Sequence, residues 1–123
     1  MPSISLKARS ERLDGNHVIL LEGEADAFTA PVAKDALEKA LRAGANGIVV
    51  DLTAVTFIDS TMLAIFIDAN KLLRARGGVF GIASADEHIR KVFRITGLDG
   101  IIRVYESACE AVSSLTEARE TCN

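Results

Sequence analysis

Ser60 and Thr61 place two hydroxyl groups directly after the carboxylate of Asp59, at a point where one sequence pattern replaces another. Upstream, residues 48–52 form a largely apolar, β-branched run, which predicts a buried strand. Downstream, apolar residues recur at helical spacing, at Met62, Ile65, Phe66, Ala69, Leu72 and Leu73. We therefore predict that Ser60 opens a helix, where its hydroxyl accepts a hydrogen bond from a first-turn amide. A phosphoryl group there would meet the positive end of the helix dipole.

The Ser60 hydroxyl has three interpretations on sequence alone: a helix cap, a phosphorylation site or a catalytic nucleophile. As a cap, a serine stabilises a helix by about 1 kcal/mol without any further role. A nucleophile would need a base, and sequence logic brings neither histidine, His17 or His88, beside Ser60. The chain also lacks a Gly-x-Ser-x-Gly motif. We therefore predict that the chain is not an enzyme, with a small hydrolase using His17 or His88 as the rival.

Asp26, Asp51 and Asp59 all fall near predicted strand ends. Clustered carboxylates bind divalent metal ions or act as acid and base. Acidic residues are also favoured at turns and helix starts, so this spacing is not diagnostic of either role. We predict no cofactor and no metal site.

Composition and charge exclude several classes of function. The formal net charge is −3 and the basic residues are spread along the chain, which argues against direct binding of nucleic acid. No run of about 18 apolar residues is present, so no membrane insertion is predicted. The N-terminal residues lack the apolar stretch of a secretory signal, so we expect a cytoplasmic protein. Cys109 and Cys122 have no neighbouring histidine and are expected to be reduced thiols.

The remaining pattern predicts one α/β domain over residues 1–123, with a tail that frays after about residue 118. Alternating apolar residues on both sides of Asp14-Gly15-Asn16 predict an opening hairpin. Strand and helix patterns then alternate, which predicts a mixed sheet of about five strands covered by about four helices. Helices are expected to be capped at Thr29, Ser84 and Ser107, and a last strand is expected at residues 101–105.

The segment from Val49 to Phe66, with Asp59-Ser60-Thr61-x-Leu63 at its centre, resembles the signature of bacterial anti-sigma factor antagonists of the STAS domain class. Gly23-Glu24-Ala25-Asp26 resembles the family's Gly-Glu-x-Asp sequence. Residues 93–98, followed by Ile101-Ile102, resemble its C-terminal block. The similarity extends from about residue 4 to residue 115.

This resemblance implies a regulator of transcription that works by partner switching. Its unphosphorylated form binds an anti-sigma factor that is also a serine kinase, which frees the sigma factor. Phosphorylation ends that binding, and a phosphatase restores it. By position, Ser60 matches the phosphorylated serine and Thr61 the neighbouring hydroxyl, whereas Asp26 and Asp59 match acidic residues of the same surface.

Met62 departs from the family pattern, in which glycine is common at this position. We predict that Met62 is at least partly exposed and that, together with Leu63, Thr61, Asp59 and Asp26, it contacts the partner. Core packing is the alternative for Met62. The second functional hypothesis is a non-phosphorylated STAS subunit of a membrane-associated transport complex, in which Met62 and Leu63 form a permanent contact.

Overall fold

Five strands lie side by side in chain order in the computed structural model, which describes residues 5–121. The strands are β1 Leu6–Leu13, β2 Asn16–Ala25, β3 Gly47–Ile58, β4 Val79–Ala83 and β5 Arg103–Tyr105. β1 and β2 are antiparallel, and each later neighbouring pair is parallel. The predicted hairpin and mixed sheet are therefore confirmed.

The turn between β1 and β2 consists of Asp14 and Gly15, and both residues have positive φ angles, as a tight two-residue hairpin loop requires. Asn16, which was expected in the turn, is instead the first residue of β2 and is buried. Its side-chain amide donates to the hydroxyl of Thr116 at 3.0 Å. This bond ties the hairpin to the C-terminal part of the chain.

Helices cover both faces of the sheet. In the described chain they are α1 Ala30–Arg42, α2 Ser60–Ala75, α3 Glu87–Ile95 and α4 Ala108–Thr121, with a short 3₁₀ helix at Leu98–Gly100. Apolar side chains of α1, α2 and α3 pack in one large cluster, and those of α4 pack in a second cluster on the other face. Because β3 and β4 are parallel and adjacent, α2 and α3 both begin at the same edge of the sheet.

β3 contributes side chains to both clusters, which explains its nearly continuous apolar sequence. Ile48 and Val50 belong to the large cluster, whereas Val49 belongs to the cluster under α4. A parallel strand that is covered on both faces needs this composition. The same strand leads directly into Asp59 and Ser60, so its burial fixes the position of that junction.

The start of α3 differs from the prediction that Ser84 caps it. Asp86 is the cap, because one carboxylate oxygen accepts hydrogen bonds from the amides of His88 and Ile89 at 2.8 and 3.3 Å. Ser84 is buried two residues before Asp86, and its hydroxyl oxygen accepts a hydrogen bond from the Asp86 amide at 3.2 Å. The capping-box spacing therefore located the start of α3 correctly but assigned the N-cap to Ser84 instead of Asp86.

The C-terminal elements follow the predicted order. The hydroxyl oxygen of Ser107 accepts from the amide of Glu110 at 3.1 Å, which confirms Ser107 at the start of α4. β5 begins at Arg103 rather than at Ile101, because the amides of Ile101 and Ile102 donate to the carbonyl oxygen of Leu98 in the preceding 3₁₀ helix. Cys109 is an unpaired, exposed thiol, and Cys122 lies outside the described residues.

Candidate functional site

Asp59 lies at the junction between β3 and α2 and caps the helix. Its carboxylate oxygen Oδ1 accepts hydrogen bonds from the amides of Thr61 and Met62 at 3.0 and 3.2 Å. The prediction that Ser60 provides the cap is wrong by one residue, because aspartate is as effective an N-cap as serine and stands one position earlier. Ser60 is instead the first residue of α2.

The Ser60 side chain is exposed at the positive end of the α2 dipole. Within residues 5–121, its hydroxyl has no hydrogen-bond partner in the chain. Thr61 is exposed beside it. Because Asp59 already serves the first-turn amides, the Ser60 hydroxyl is accessible to another molecule.

The other oxygen of Asp59, Oδ2, accepts a hydrogen bond from the amide of Ala27 at 3.1 Å. Ala27 belongs to the loop of residues 26–29, which connects β2 to α1 and which we call the 26–29 loop. The backbone amide of Asp59 also donates to the carbonyl oxygen of Ala25 at 3.2 Å. These two bonds hold Asp26 close to Asp59 and Ser60, so the structure brings these three predicted residues together.

The 26–29 loop is also held by its own side chains. Asp26 Oδ1 accepts from the amides of Phe28 and Thr29 at 2.9 and 3.1 Å. The Thr29 hydroxyl donates to the carbonyl oxygen of Glu24 at 2.7 Å and accepts from the amide of Asp26 at 2.9 Å. Thr29 therefore precedes α1 as predicted, but its hydroxyl stabilises the loop and makes no bond to the helix.

Gly23 shapes the end of β2 just before this loop. Its φ angle is 123°, at an irregularity in the pairing of β2 with β3. A Cβ atom at this position would collide with the carbonyl oxygen of Ser5. Only glycine satisfies both conditions, so this residue sets the path by which the chain reaches Asp26.

Two exposed aromatic residues near the site were missed by the sequence argument. Phe28, within the 26–29 loop, is 94% exposed, and Phe57, at the end of β3, is 50% exposed. Phe57 pairs in register with Glu24, which also accepts the Thr29 hydroxyl bond. The available signal was the position of Phe28 between Asp26 and Thr29, because a large apolar residue is unusual in a polar turn.

The prediction that Met62 is partly exposed is wrong. Met62 is 0% exposed and Leu63 is 7% exposed, and both pack in the large cluster. Residue 62 lies on the inner side of the first turn of α2, where the helix faces the sheet. Core packing accounts for the long side chain, so a direct contact of Met62 with a partner is not supported.

The structure does not bring the other candidate residues to this site. The carboxylate of Asp51 accepts from the amide and hydroxyl of Thr53, within β3. His17 pairs with Ile48 at the start of β3, whereas Ser60 follows its end. Burial, and secondarily the nearby Arg12 charge, lower the pKa of His17. His88 lies in the first turn of α3.

The described residues contain no group of three or more His, Cys, Asp or Glu side chains placed to bind a metal ion. Among them, no helix has both the length and the apolar character needed to cross a membrane.

The strand order and the accessible serine at the start of α2 define a small α/β domain with an exposed hydroxyl at one sheet edge. Residues 7–111 match the STAS domain, and the chain belongs to that family. An anti-sigma-B factor antagonist of Listeria monocytogenes is 40% identical over 105 residues, covering 83% of this chain and 87% of the relative. One from Bacillus subtilis is 32% identical over 84 residues, covering 68% and 76%. The crystal structure of an anti-sigma factor antagonist from Mycobacterium paratuberculosis has a TM-score of 0.86 at 28% identity, covering 93% of this chain and 97% of that one.

Proposed function

We propose that this chain is an anti-sigma factor antagonist controlled by phosphorylation of Ser60. Its unphosphorylated form binds an anti-sigma factor that is also a serine kinase, which releases the sigma factor for transcription. The observation that carries the proposal is the exposed Ser60 hydroxyl, without a partner in the described chain, at the start of α2. The 40% identity between this chain and the anti-sigma-B factor antagonist of Listeria monocytogenes also supports the role of anti-sigma factor antagonist.

The chemistry is supplied by the partners, and this chain provides the acceptor. The Ser60 oxygen attacks the γ-phosphorus of ATP, the bond from that phosphorus to the β,γ-bridging oxygen breaks, and ADP leaves. The hydroxyl proton passes to a base of the kinase or to water. In the reverse direction, a phosphatase directs water at the phosphorus, and inorganic phosphate leaves while the serine hydroxyl is regenerated.

Phosphorylation acts on binding rather than on folding. A phosphoryl group adds about −1.5 to −2 charges at pH 7 beside the carboxylates of Asp26 and Asp59. Removing that group from water at a protein interface is costly, and its bulk prevents close contact. Within the domain, the positive end of the α2 dipole offsets part of the new charge, so the modified chain stays folded.

The contact surface of this proposal consists of Asp26, Asp59 and Thr61 around Ser60. Thr61 is exposed, and both carboxylates lie at the same sheet edge. The transport-subunit hypothesis depended on a permanent contact through Met62 and Leu63, and both of these side chains are buried. We place the switch in the cytoplasm, where a soluble kinase and ATP meet it.

Phosphorylation in a purified system tests the proposal. The protein is mixed with a candidate anti-sigma factor kinase and ATP, and peptides are mapped by mass spectrometry. We expect phosphate on Ser60 in the wild-type protein and in Thr61→Val, and none in Ser60→Ala. Phosphate found only on Thr61, or no transfer by any kinase that binds the protein, would contradict the assignment. Copurification with a transporter ATPase would instead support the transport-subunit hypothesis.

A further inference from the structure

We propose that Phe28 is the hydrophobic anchor of the partner interface and that Asp59 couples the position of this ring to the state of Ser60. The inference rests on the proposed function, because its partner is the anti-sigma factor named there. It adds a specific contact residue and a path from the modification to that contact.

The exposure of Phe28 is the first support. At 94% exposed, it is the most exposed of the large hydrophobic side chains described, and it gains nothing from the core of its own domain. Aromatic residues inserted in a partner pocket supply much of the binding energy of protein interfaces. Phe57, near the end of β3, is a second exposed aromatic side chain, at 50% exposed.

The rigidity of the 26–29 loop is the second support. Five hydrogen bonds of 2.7–3.1 Å that involve a side chain hold its residues: from Ala27 to Asp59, from Phe28 and Thr29 to Asp26, and between the Thr29 hydroxyl and both Asp26 and Glu24. A ring carried on a preorganised loop loses little conformational entropy when it enters a pocket.

The charge beside the ring indicates the chemistry of the partner. The Asp59 carboxylate accepts the hydrogen bond from the Ala27 amide, and Asp26 directly precedes Ala27 in the chain. Neither carboxylate forms an ion pair with any described residue. A complementary surface therefore offers an apolar pocket for one phenyl ring, with cationic or N–H donor groups at its rim.

The coupling follows from the two oxygens of Asp59. Oδ1 accepts from the amides of Thr61 and Met62, and Oδ2 accepts from the amide of Ala27. A phosphoryl group on Ser60 is a stronger acceptor for the first-turn amides, and its charge repels the Asp59 carboxylate. Displacement of Asp59 breaks the bond to Ala27, so the loop that carries Phe28 loses its attachment to α2.

Partner affinity tests the anchor. The anti-sigma factor that binds the wild-type protein is titrated with Phe28→Ala, and we expect affinity to fall by at least about 30-fold, as for an interface hot spot. Leu72→Ala is the matched control, because Leu72 is 60% exposed on α2 but distant in sequence from the helix start, and affinity should stay within about threefold. Circular dichroism melts confirm that both variants fold.

A double-mutant cycle and amide exchange test the coupling. Asparagine offers one acceptor oxygen where aspartate offers two, so Asp59→Asn cannot reproduce both sets of bonds. We expect it to weaken partner binding, with little further effect when Phe28 is already alanine. Phosphorylation of Ser60 should increase hydrogen exchange of the Ala27 amide.

The outcomes separate the two proposals. If no anti-sigma factor binds the wild-type protein, the proposed function fails and this inference fails with it. If the wild-type protein binds and Phe28→Ala binds equally well, only the anchor is overturned. Additive effects in the cycle, or unchanged exchange of Ala27 on phosphorylation, would overturn the coupling. Sedimentation showing that Phe28→Ala dissociates a dimer would identify a second copy of the chain as the occupant, against this proposal.

Discussion

α2 and α3 begin in the same way at the same edge of the sheet. An aspartate precedes each helix, and one of its carboxylate oxygens accepts from the second and third helical amides, at Asp59 for α2 and at Asp86 for α3. The third helical residue is buried in both, as Met62 at 0% exposed and Ile89 at 3% exposed. The local architecture of the two starts is therefore nearly interchangeable.

The two starts differ in what is attached to that architecture. The first helical residue is Ser60 in α2 and Glu87 in α3, so of these two helices only α2 presents a hydroxyl at this position. The Asp59 carboxylate also accepts from the amide of Ala27, in the 26–29 loop, 32 positions earlier in the chain. The hydrogen bonds described for the Asp86 carboxylate come only from amides of α3. Capping is ordinary helix chemistry, and the candidate site consists of the hydroxyl and the long-range bond added to it.

The largest expected effect concerns the buried third position. Met62→Gly should lower the free energy of unfolding by about 2–5 kcal/mol for the lost side chain, plus about 1 kcal/mol for glycine in a helix. Ile89→Gly should lose a comparable amount, because Ile89 is similarly buried at the same helical position. Urea melts measure both. A loss of only about 1 kcal/mol for Met62→Gly would mean that the side chain is exposed in solution.

Removal of the capping aspartate should lower the free energy of unfolding by different amounts at the two helix starts. Asp59→Ala and Asp86→Ala should each cost about 0.5–2 kcal/mol for the lost cap. Asp59→Ala should cost about 0.5–1.5 kcal/mol more, because it also removes the acceptor of the Ala27 amide. Denaturant melts and hydrogen exchange of Ala27 report the difference. Equal losses, with Ala27 still protected, would show that the long-range bond contributes nothing.

A negative charge at the first helical position should be tolerated. Ser60→Asp should leave stability unchanged or raise it by about 0.3–1 kcal/mol, because a carboxylate there interacts favourably with the helix dipole and Glu87 already occupies the equivalent position in α3. The same variant should bind the anti-sigma factor more weakly, whereas Ser60→Ala should bind without being switched off. Equal affinity of Ser60→Asp and the wild-type protein would contradict the charge mechanism.

The smallest effect concerns His17, at the other end of β3 from Ser60. Burial and the Arg12 charge lower the pKa of His17 in the folded state. The unfolded chain then binds more protons, so stability should be highest above about pH 6.5 and should fall as the pH drops below it, through the folded pKa. His17→Gln should flatten this dependence in thermal melts between about pH 5 and 8. If His17→Gln shows the same pH dependence of stability as the wild-type protein, that dependence arises from other titratable groups.

Local patterns predicted most of the fold. Periodicity and capping preferences within a few residues account for the hairpin turn at Asp14-Gly15, the strand that leads into Asp59, and the helices that begin at Ser60 and just after Ser107. The errors in capping lie where a serine and a nearby aspartate can both cap a helix. Asp59, next to Ser60, and Asp86, two residues after Ser84, provide the caps, because each carboxylate reaches the second and third helical amides.

The sequence by itself determined the order of the elements and the position of Ser60 at a strand-to-helix junction, because those features depend on neighbouring residues. Tertiary structure decided the rest. Whether Met62 is buried depends on which side of α2 faces the sheet, and the Asp59 to Ala27 bond joins residues 32 positions apart. The exposure of Phe28 follows from the hydrogen bonds that hold its loop against α2. These contacts between distant segments depend on the alignment of β2 with β3 in the sheet, so no local pattern could specify them.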